Sequence, residues 1–312
     1  MKYLVTGGAG FIGSNLVEAL LQRGHSVRVL DNFSTGKREN LQKFDKDIEL
    51  VEGDLRSLHT VEQAVKGVDV ILHEAALPSV PRSIKDPITT NEVNVTGTLN
   101  ILNAAVGAKT RRVVFASSSS IYGNNPELPK HEDMVPNPLS PYAVSKLAGE
   151  NYCKVFAKIY GLETVALRYF NVFGPNQDPS SQYSAVIPKF INAILKDESP
   201  VIYGDGEQSR DFTYISNVIE GNILASEMKI DSPVIVNCAC HDRITLNELV
   251  ASINKILGKD IKPKYNDERT GDVKHSFAAI GKAEKLLNYR VTDPFMNGLE
   301  KTIAYFQNLN KS

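Results

Sequence analysis

Over the first 170 residues, short apolar runs alternate with stretches whose apolar residues recur every three or four positions. The runs at 3–6, 26–30, 48–51, 68–73, 112–116 and 164–168 read as strands, and helical spacing covers 11–23, 58–65, 89–107 and 141–160. Strand and helix in regular turn predict a parallel sheet covered by helices on both faces. Beyond Arg168 the texture changes to loops rich in Gly, Pro and Asn, broken by helices near 185–195, 215–228, 246–257 and 281–287. A second, smaller mixed α/β domain is expected there, with a crevice between the two. The expected division is 1–169 plus about 214–237 for the first domain, and 170–213 plus 238–312 for the second.

With 312 residues the chain is long enough for both. A formal net charge of −1 leaves no global field to recruit nucleic acid or an anionic membrane. No apolar run is long enough to span a bilayer, and a strand begins straight after Met1 with no signal-peptide pattern, so a cytoplasmic protein is expected. Cys153, Cys238 and Cys240 are too few and too irregular for a disulfide framework or a zinc site, and the six histidines show no metal-ligand spacing. No metal is expected.

The first strand-to-helix turn changes the picture. Gly7, Gly8, Gly10 and Gly13 follow the first strand at once and open the first helix, in the spacing of a dinucleotide-binding turn. Side chains there would clash with the turn or a pyrophosphate, while exposed N–H groups and the helix dipole attract phosphate. Asp31 stands at the end of the second strand, where a carboxylate accepts from ribose hydroxyls and repels a 2′-phosphate. The coenzyme expected is NAD rather than NADP, on a Rossmann-type doubly wound sheet. Lys37 and Arg38 read as a solvated loop pair.

A second constellation lies at the sheet's centre. Tyr142 and Lys146, four residues apart, share one helix face. A neighbouring cation and a nicotinium ring favour the phenolate, so such a Tyr can exchange a proton with a substrate hydroxyl while NAD exchanges hydride. The run of serines from Ser117 to Ser120 follows the fifth strand, placing hydroxyls at the carboxyl end of a parallel sheet, where open α/β folds bind ligands.

Through these motifs nearly the whole chain resembles the extended short-chain dehydrogenases/reductases, and within them the UDP-hexose 4-epimerases, particularly the branch acting on UDP-N-acetylglucosamine. The resemblance implies catalytic roles for Ser118, Tyr142 and Lys146, with Ser119 and Ser120 lining the site. It implies coenzyme contacts at Gly7, Gly10, Phe11, Ile12, Gly13, Asp31, Asn32, Ser34, Gly36, Asp54, Leu55, Ala75, Ala76 and Asn94. It also implies a sugar-nucleotide ligand in Asn171, a uracil contact in Tyr203, diphosphate ligands in Arg210 and Arg269, and a ribose ligand in Asp272. Paired guanidinium donors suit a diphosphate. Apart from the resemblance, Arg210 beside Asp211 and Arg269 near Asp272 read as surface ion pairs.

Neighbouring activities in the superfamily fit less well. Dehydratases carry an Asp-Glu pair where Ser119 and Ser120 stand, and decarboxylases a glutamate absent from Ser120-Ile121. UDP-glucuronate 4-epimerases share the serines but tend to have threonine at Asn171, and they remain the nearest enzymatic alternative. A catalytically silent NAD-sensing regulator of the same fold is the alternative from another class. Ser276, at the position gating the space around the sugar C2 substituent, leaves room for an acetamido group, and Ser79 lies in a Ser-Val-Pro-Arg-Ser segment that touches N-acetyl groups in that branch. The resemblance further implies a homodimer in which helices near 93–107 and 141–160 form a four-helix bundle. Val155, Phe156 and Ile159 serve equally well against the chain's own sheet.

Overall fold

In the computed structural model, which describes residues 1–178, 186–267 and 274–309, the alternating pattern folds into one parallel sheet. Its members are β1 (Lys2–Thr6), β2 (Ser26–Asp31), β3 (Ile48–Glu52), β4 (Val70–His73), β5 (Arg112–Ser118) and β6 (Glu163–Tyr169). They are linked by α1 (Phe11–Gln22), α2 (Leu58–Val65), α3 (Val80–Lys85), α4 (Pro87–Asn91), α5 (Gly97–Gly107) and α6 (Pro141–Tyr160). The later elements are β7 (Val172–Phe173), α7 (Val186–Leu195), β8 (Val201–Tyr203), β9 (Ser209–Arg210), β10 (Thr213–Tyr214), α8 (Ile215–Glu227), β11 (Val234–Cys238), β12 (Ile244–Thr245), α9 (Leu246–Leu257), β13 (Lys264–Asn266), α10 (Gly281–Leu287) and α11 (Phe295–Leu309).

The sheet order is β11-β6-β5-β4-β1-β2-β3, every pairing parallel. Strand order reverses between β1 and β4, and at such a switch point two loops diverge and leave a crevice at the carboxyl ends. One face of the sheet packs Leu16, Val17 and Leu20 of α1 and Val218 and Ile223 of α8. The other packs Val61 and Val65 of α2, Ile101 and Leu102 of α5, and Cys153 and Phe156 of α6. Burial on both faces explains why the inner strands β1, β4 and β5 read as apolar runs, whereas the edge strand β3 is part exposed.

Three features depart from the sequence expectations. A seventh strand, β11, extends the sheet beyond β6; its five residues sit inside the loop-rich half, between the helices expected near 215–228 and 246–257. The helix expected over 89–107 is interrupted by one wide turn at Glu92–Thr96, which turns the Asn94 amide inward to bond Leu77 N, Leu77 O and Ser145 Oγ. The final helix α11 buries Phe295, Leu299, Ile303 and Phe306, spaced every three or four residues. Of the expected helix at 185–195, residue 185 lies outside the described residues. Among the described residues no helix is long and apolar enough to cross a membrane.

Candidate active site

A cavity of about 880 Å³ opens at the switch point. Its floor is the glycine turn. Gly7 (φ +69°) donates to Leu30 O at 2.8 Å, and its own oxygen accepts from Gly10 N at 3.0 Å. A Cβ on Gly13 would stand 2.1 Å from that oxygen, so the close approach of turn and helix start requires glycine. α1 has no acidic residue in its first turn and no side-chain cap, which leaves its N-terminal N–H groups facing the cavity for an anion.

Around this floor, the Asp31 carboxylate accepts from Ala9 N at 2.9 Å and Phe33 N at 2.8 Å, which fixes it and leaves lone pairs for ribose hydroxyls. The loop after β2 is tied down by Lys37 N and Asn40 Nδ2, both donating to Ala9 O, and Gly36 packs on Ala9. Asp54 takes donors from Arg56 and Asn32, and the Arg56 guanidinium beside it holds its carboxyl down at about 2. Gly7, Gly10, Phe11, Ile12, Gly13, Asp31, Asn32, Ser34, Gly36, Asp54, Leu55, Ala75 and Ala76 all line the cavity. Asn94 stands behind its wall and holds Leu77. His73 is buried between Thr6 and Thr98, its Nδ1 2.7 Å from Thr6 Oγ1 and its Nε2 3.0 Å from Thr98 Oγ1. Thr98 donates to Asn94 O, so it accepts from His73 Nε2–H. Thr6 in turn accepts Ala75 N, tying the imidazole to the cavity wall. Burial pushes His73 down to about 3, so it is neutral. The set of side chains fits a dinucleotide: a phosphate cradle, a ribose acceptor and an adenine-side carboxylate.

The opposite wall is built by α6 against β5. Ser140 caps α6 by accepting Ala143 N, and Pro141 takes the first helical position. Three contacts then set the helix on the strand. Lys146 Nζ donates to Ala116 O at 2.7 Å, Gly149 allows the Phe115 ring to lie where a Cβ would be 2.3 Å away, and Ser117 Oγ donates to Glu150 Oε1 at 2.6 Å. Glu150 is completely buried and paired with the equally buried Arg168 through two bonds of 2.9 Å. This packing carries Tyr142 to Ser118, whose side chain acts to lower the pKa of the phenol. Ser118 Oγ also accepts Ser120 N, capping the short turn Ser119–Tyr122.

Tyr142 and Lys146 both line the cavity, with Lys146 Nζ 5.9 Å from the Tyr142 ring centre. Burial pushes the Tyr142 phenol above its ordinary value, opposed by Ser118 and reinforced by the charge of Glu74. Burial pulls the Lys146 ammonium down to about 8, opposed by that same carboxylate. Without additional positive charge the phenol is the stable form; the phenolate expected from the sequence requires the Lys146 ammonium and a bound nicotinium together.

The substrate-side residues are distributed unevenly. Ser79 and Asn171 line the cavity. Ser79 (φ 153°) caps α3 by accepting Arg82 N at 3.1 Å, which leaves its hydroxyl proton for donation. Asn171 (φ 35°) donates to Asp211 O from the crossing out of β6. Ser118, Ser119 and Ser120 stand at the end of β5 beside Tyr142, and the buried Ser120 Oγ has no partner. Tyr203 lines a separate shallow depression with Tyr265, Asn266 and Asp267. Arg210 lies on β9, with Nη1 donating to Ser209 O and Lys274 O, and Ser276 N donates to the same Ser209 O. The structure does not bring Tyr203, Arg210 or Ser276 into the large cavity, and Ser118, Ser119 and Ser120 are not among its lining residues either. Arg269 and Asp272 lie outside the described residues.

The cavity also holds Ser117, Arg82 and Lys37, and three residues the sequence reading gave no role: Glu74, Tyr169 and Asp178. Lys37, expected to be solvated, pairs with Asp178 at 3.0 Å across the cavity mouth. Glu74 carried one legible signal, a carboxylate at the carboxyl end of a parallel strand.

Comparison with known proteins follows the same lines. The profile of the NAD dependent epimerase/dehydratase family matches residues 3–239. A putative UDP-glucose 4-epimerase of Methanocaldococcus jannaschii is 37% identical over 99% of each chain. Among solved structures, the UDP-N-acetylglucosamine 4-epimerase of Methanobrevibacter ruminantium M1, in complex with UDP-N-acetylmuramic acid, superposes with a TM-score of 0.94 at 44% identity, covering 99% of this chain and 98% of that one. The UDP-glucuronic acid 4-epimerase of Bacillus cereus, bound to UDP-glucuronic acid and NAD, gives 0.91 at 34% identity, covering 99% and 100%.

Proposed function

Because the chain belongs to the NAD-dependent epimerase/dehydratase family, among its UDP-sugar 4-epimerases, we propose that it interconverts UDP-GlcNAc and UDP-GalNAc, and UDP-Glc and UDP-Gal as well. The enzyme is an isomerase that uses NAD without net consumption. The observation that carries the reading is the Tyr142 side chain on the cavity wall, one helical turn from Lys146, whose Nζ lies 5.9 Å from the ring centre.

In this account Tyr142 removes the proton of the sugar C4 hydroxyl, Ser118 bonds the same oxygen, and Lys146 steadies the phenolate. When bound, the coenzyme would supply a reversible acceptor for the C4 hydride. Inversion at C4 requires the 4-keto sugar to turn over so that its other face meets the returning hydride, and Tyr142 returns its proton to the C4 oxygen. Turning over requires that binding energy come from parts of the substrate that do not react. Arg210 and Arg269 are assigned to the diphosphate, Asp272 to the ribose, Tyr203 to the uracil and Asn171 to the sugar nucleotide. The orphaned Ser120 hydroxyl and Ser119 are assigned to the hexose. Segments 170–213 and 238–312 thus form the substrate domain.

Support for the acetamido pair comes from the spare hydroxyl proton of Ser79, which lines the cavity, and from the 44% identity to a UDP-GlcNAc 4-epimerase. The enzyme is further proposed to be a cytoplasmic homodimer. Val155 and Ile159 on α6 are 45% and 68% exposed, whereas Phe156 packs inward, so an apolar strip is left for a second copy's helices. Sedimentation as a monomer would contradict the dimer. A side-by-side panel of UDP-GlcNAc, UDP-Glc and UDP-GlcA tests the substrate: turnover of the first two supports the reading, and exclusive turnover of UDP-GlcA assigns the chain to the glucuronate branch.

A further inference from the structure

Pro175 to Asp178, on the way out of β7, are anchored from three sides. On α1, Asn15 Nδ2 donates to Pro175 O at 3.1 Å, and Ser14 Oγ accepts from Asn176 Nδ2 at 3.1 Å. From α11, Tyr305 OH donates to Asn176 Oδ1 at 3.1 Å, so both ends of that amide are engaged. Asn176 (φ 68°) takes the left-handed conformation, which asparagine adopts more readily than most residues with a side chain. Gln177 Nε2 folds back to donate to Val172 O at 3.2 Å. Asp178 reaches the loop after β2 and pairs with Lys37 at 3.0 Å. Asn176, Gln177, Asp178 and Lys37 all line the large cavity. The loop that carries Lys37 is itself tied to the glycine turn, through Lys37 N and Asn40 Nδ2 on Ala9 O. These bonds close a ring that runs from the glycine turn along the start of α1, through residues 175–178 to Lys37, and back to Ala9.

We propose that residues 175–178 are a strap that retains the coenzyme, fastened to α1 by Asn176 and latched to the loop after β2 by the Lys37–Asp178 pair. The inference rests on reading this cavity as the NAD site, and it goes beyond the epimerase reading by naming what sets the residence time there. An isomerase that uses NAD without net consumption has a particular need for such a device. Escape of reduced coenzyme from a half-finished cycle would strand an oxidised sugar. The glycine turn supplies phosphate donors from one side; a wall on the other side lengthens residence, because the ring must open before a dinucleotide inside it can leave. The two fastenings differ in strength. The Asn176 amide is part-buried and bonded at both ends, whereas Lys37 and Asp178 are exposed enough for solvent to weaken their attraction. Asn176 is the anchor, and the ion pair is the latch.

The test is exchange of bound NAD by the holoenzyme with no UDP-sugar present. Purified protein is mixed with a large excess of isotopically labelled NAD, and label in the protein-bound fraction is followed by mass spectrometry after rapid gel filtration. Asn176→Gly, which keeps the backbone conformation and removes both amide bonds, is expected to speed exchange about tenfold. Lys37→Met and Asp178→Asn are each expected to speed it about two- to fivefold. Reversing the pair in Lys37→Asp, Asp178→Lys should bring the rate back toward wild type, and the acceleration that salt produces in the wild type should vanish in Asp178→Asn. Should Asn176→Gly not fold, the exposed pair decides the matter alone. Wild-type exchange in Asn176→Gly, or in both variants of the pair, would overturn the proposal. So would acceleration in Lys37→Met but not in Asp178→Asn, which would place Lys37 directly on the coenzyme. Protein that holds no NAD would overturn the coenzyme reading together with the strap. Because exchange is measured without sugar, failure of the epimerase reading is seen separately.

Discussion

Replacing Gly13 by Ala probes the coenzyme cradle with one methyl group. The added Cβ would lie 2.1 Å from Gly7 O and 2.8 Å from Gly8 Cα, both backbone atoms. The first contact is more than about 1 Å inside van der Waals distance. Relief cannot come from a rotamer; the turn itself must open. The oxygen that would be pushed aside also accepts Gly10 N, so the bond closing the turn is strained at the same time. Overpacking of this kind costs about 1–3 kcal/mol of stability. A displacement of roughly 1 Å at the phosphate cradle costs about a hundredfold in function. The assay is the NAD content of protein purified by gel filtration, read by chromatography of the acid extract, together with thermal unfolding. Gly107→Ala is the control. Nothing lies within 4 Å of its Cβ, so it should retain coenzyme fully and gain up to about 1 kcal/mol of stability. A Gly13→Ala protein with wild-type NAD content and wild-type melting would refute the reasoning.

Further outcomes follow from other parts of the site. Glu150→Gln leaves the buried Arg168 guanidinium without its counter-charge and should cost about 3–5 kcal/mol in denaturant unfolding, with much of it recovered in the Glu150→Gln, Arg168→Met double variant; simple additivity would contradict the pairing. Folded His73 lies at about 3 against an ordinary 6.5, so in that window the unfolded chain binds the extra proton and stability falls as pH drops. Lowering pH from about 6.5 to 5 should therefore cost about 2 kcal/mol through this group, a component that His73→Asn lacks and that matched urea titrations measure. Ser276→Tyr should abolish turnover of UDP-GlcNAc and UDP-GalNAc while sparing UDP-Glc and UDP-Gal; unchanged rates on both pairs would refute gating at that position.

The sheet and the coenzyme cradle were legible because their determinants are local. A glycine turn between a strand and a helix, and Asp31 one strand later, are read directly from spacing. Tyr142 and Lys146 were legible for the same reason, since four residues on one helix fix a shared face. What places Tyr142 against Ser118 was not, because it depends on contacts between distant segments: Gly149 on Phe115, Glu150 on Ser117 and Arg168 on Glu150. Glu74 was hidden for a related reason. It sits at the end of an apolar run, and only the fold reveals that Tyr169 and Asn222, 95 and 148 residues further along, hold it in the cavity. The wide turn at Glu92–Thr96 broke a helix whose apolar periodicity gave no sign of it.

The central claim is that Tyr142, beside a retained coenzyme, moves the proton at C4. The most direct measurement is epimerisation of UDP-GlcNAc by purified protein with no NAD added, wild type against Tyr142→Phe, each variant's bound NAD being quantified in the same sample. The account predicts steady formation of UDP-GalNAc by the wild type and a loss of about a hundredfold or more in Tyr142→Phe at unchanged coenzyme content. Equal rates in the two proteins would contradict it.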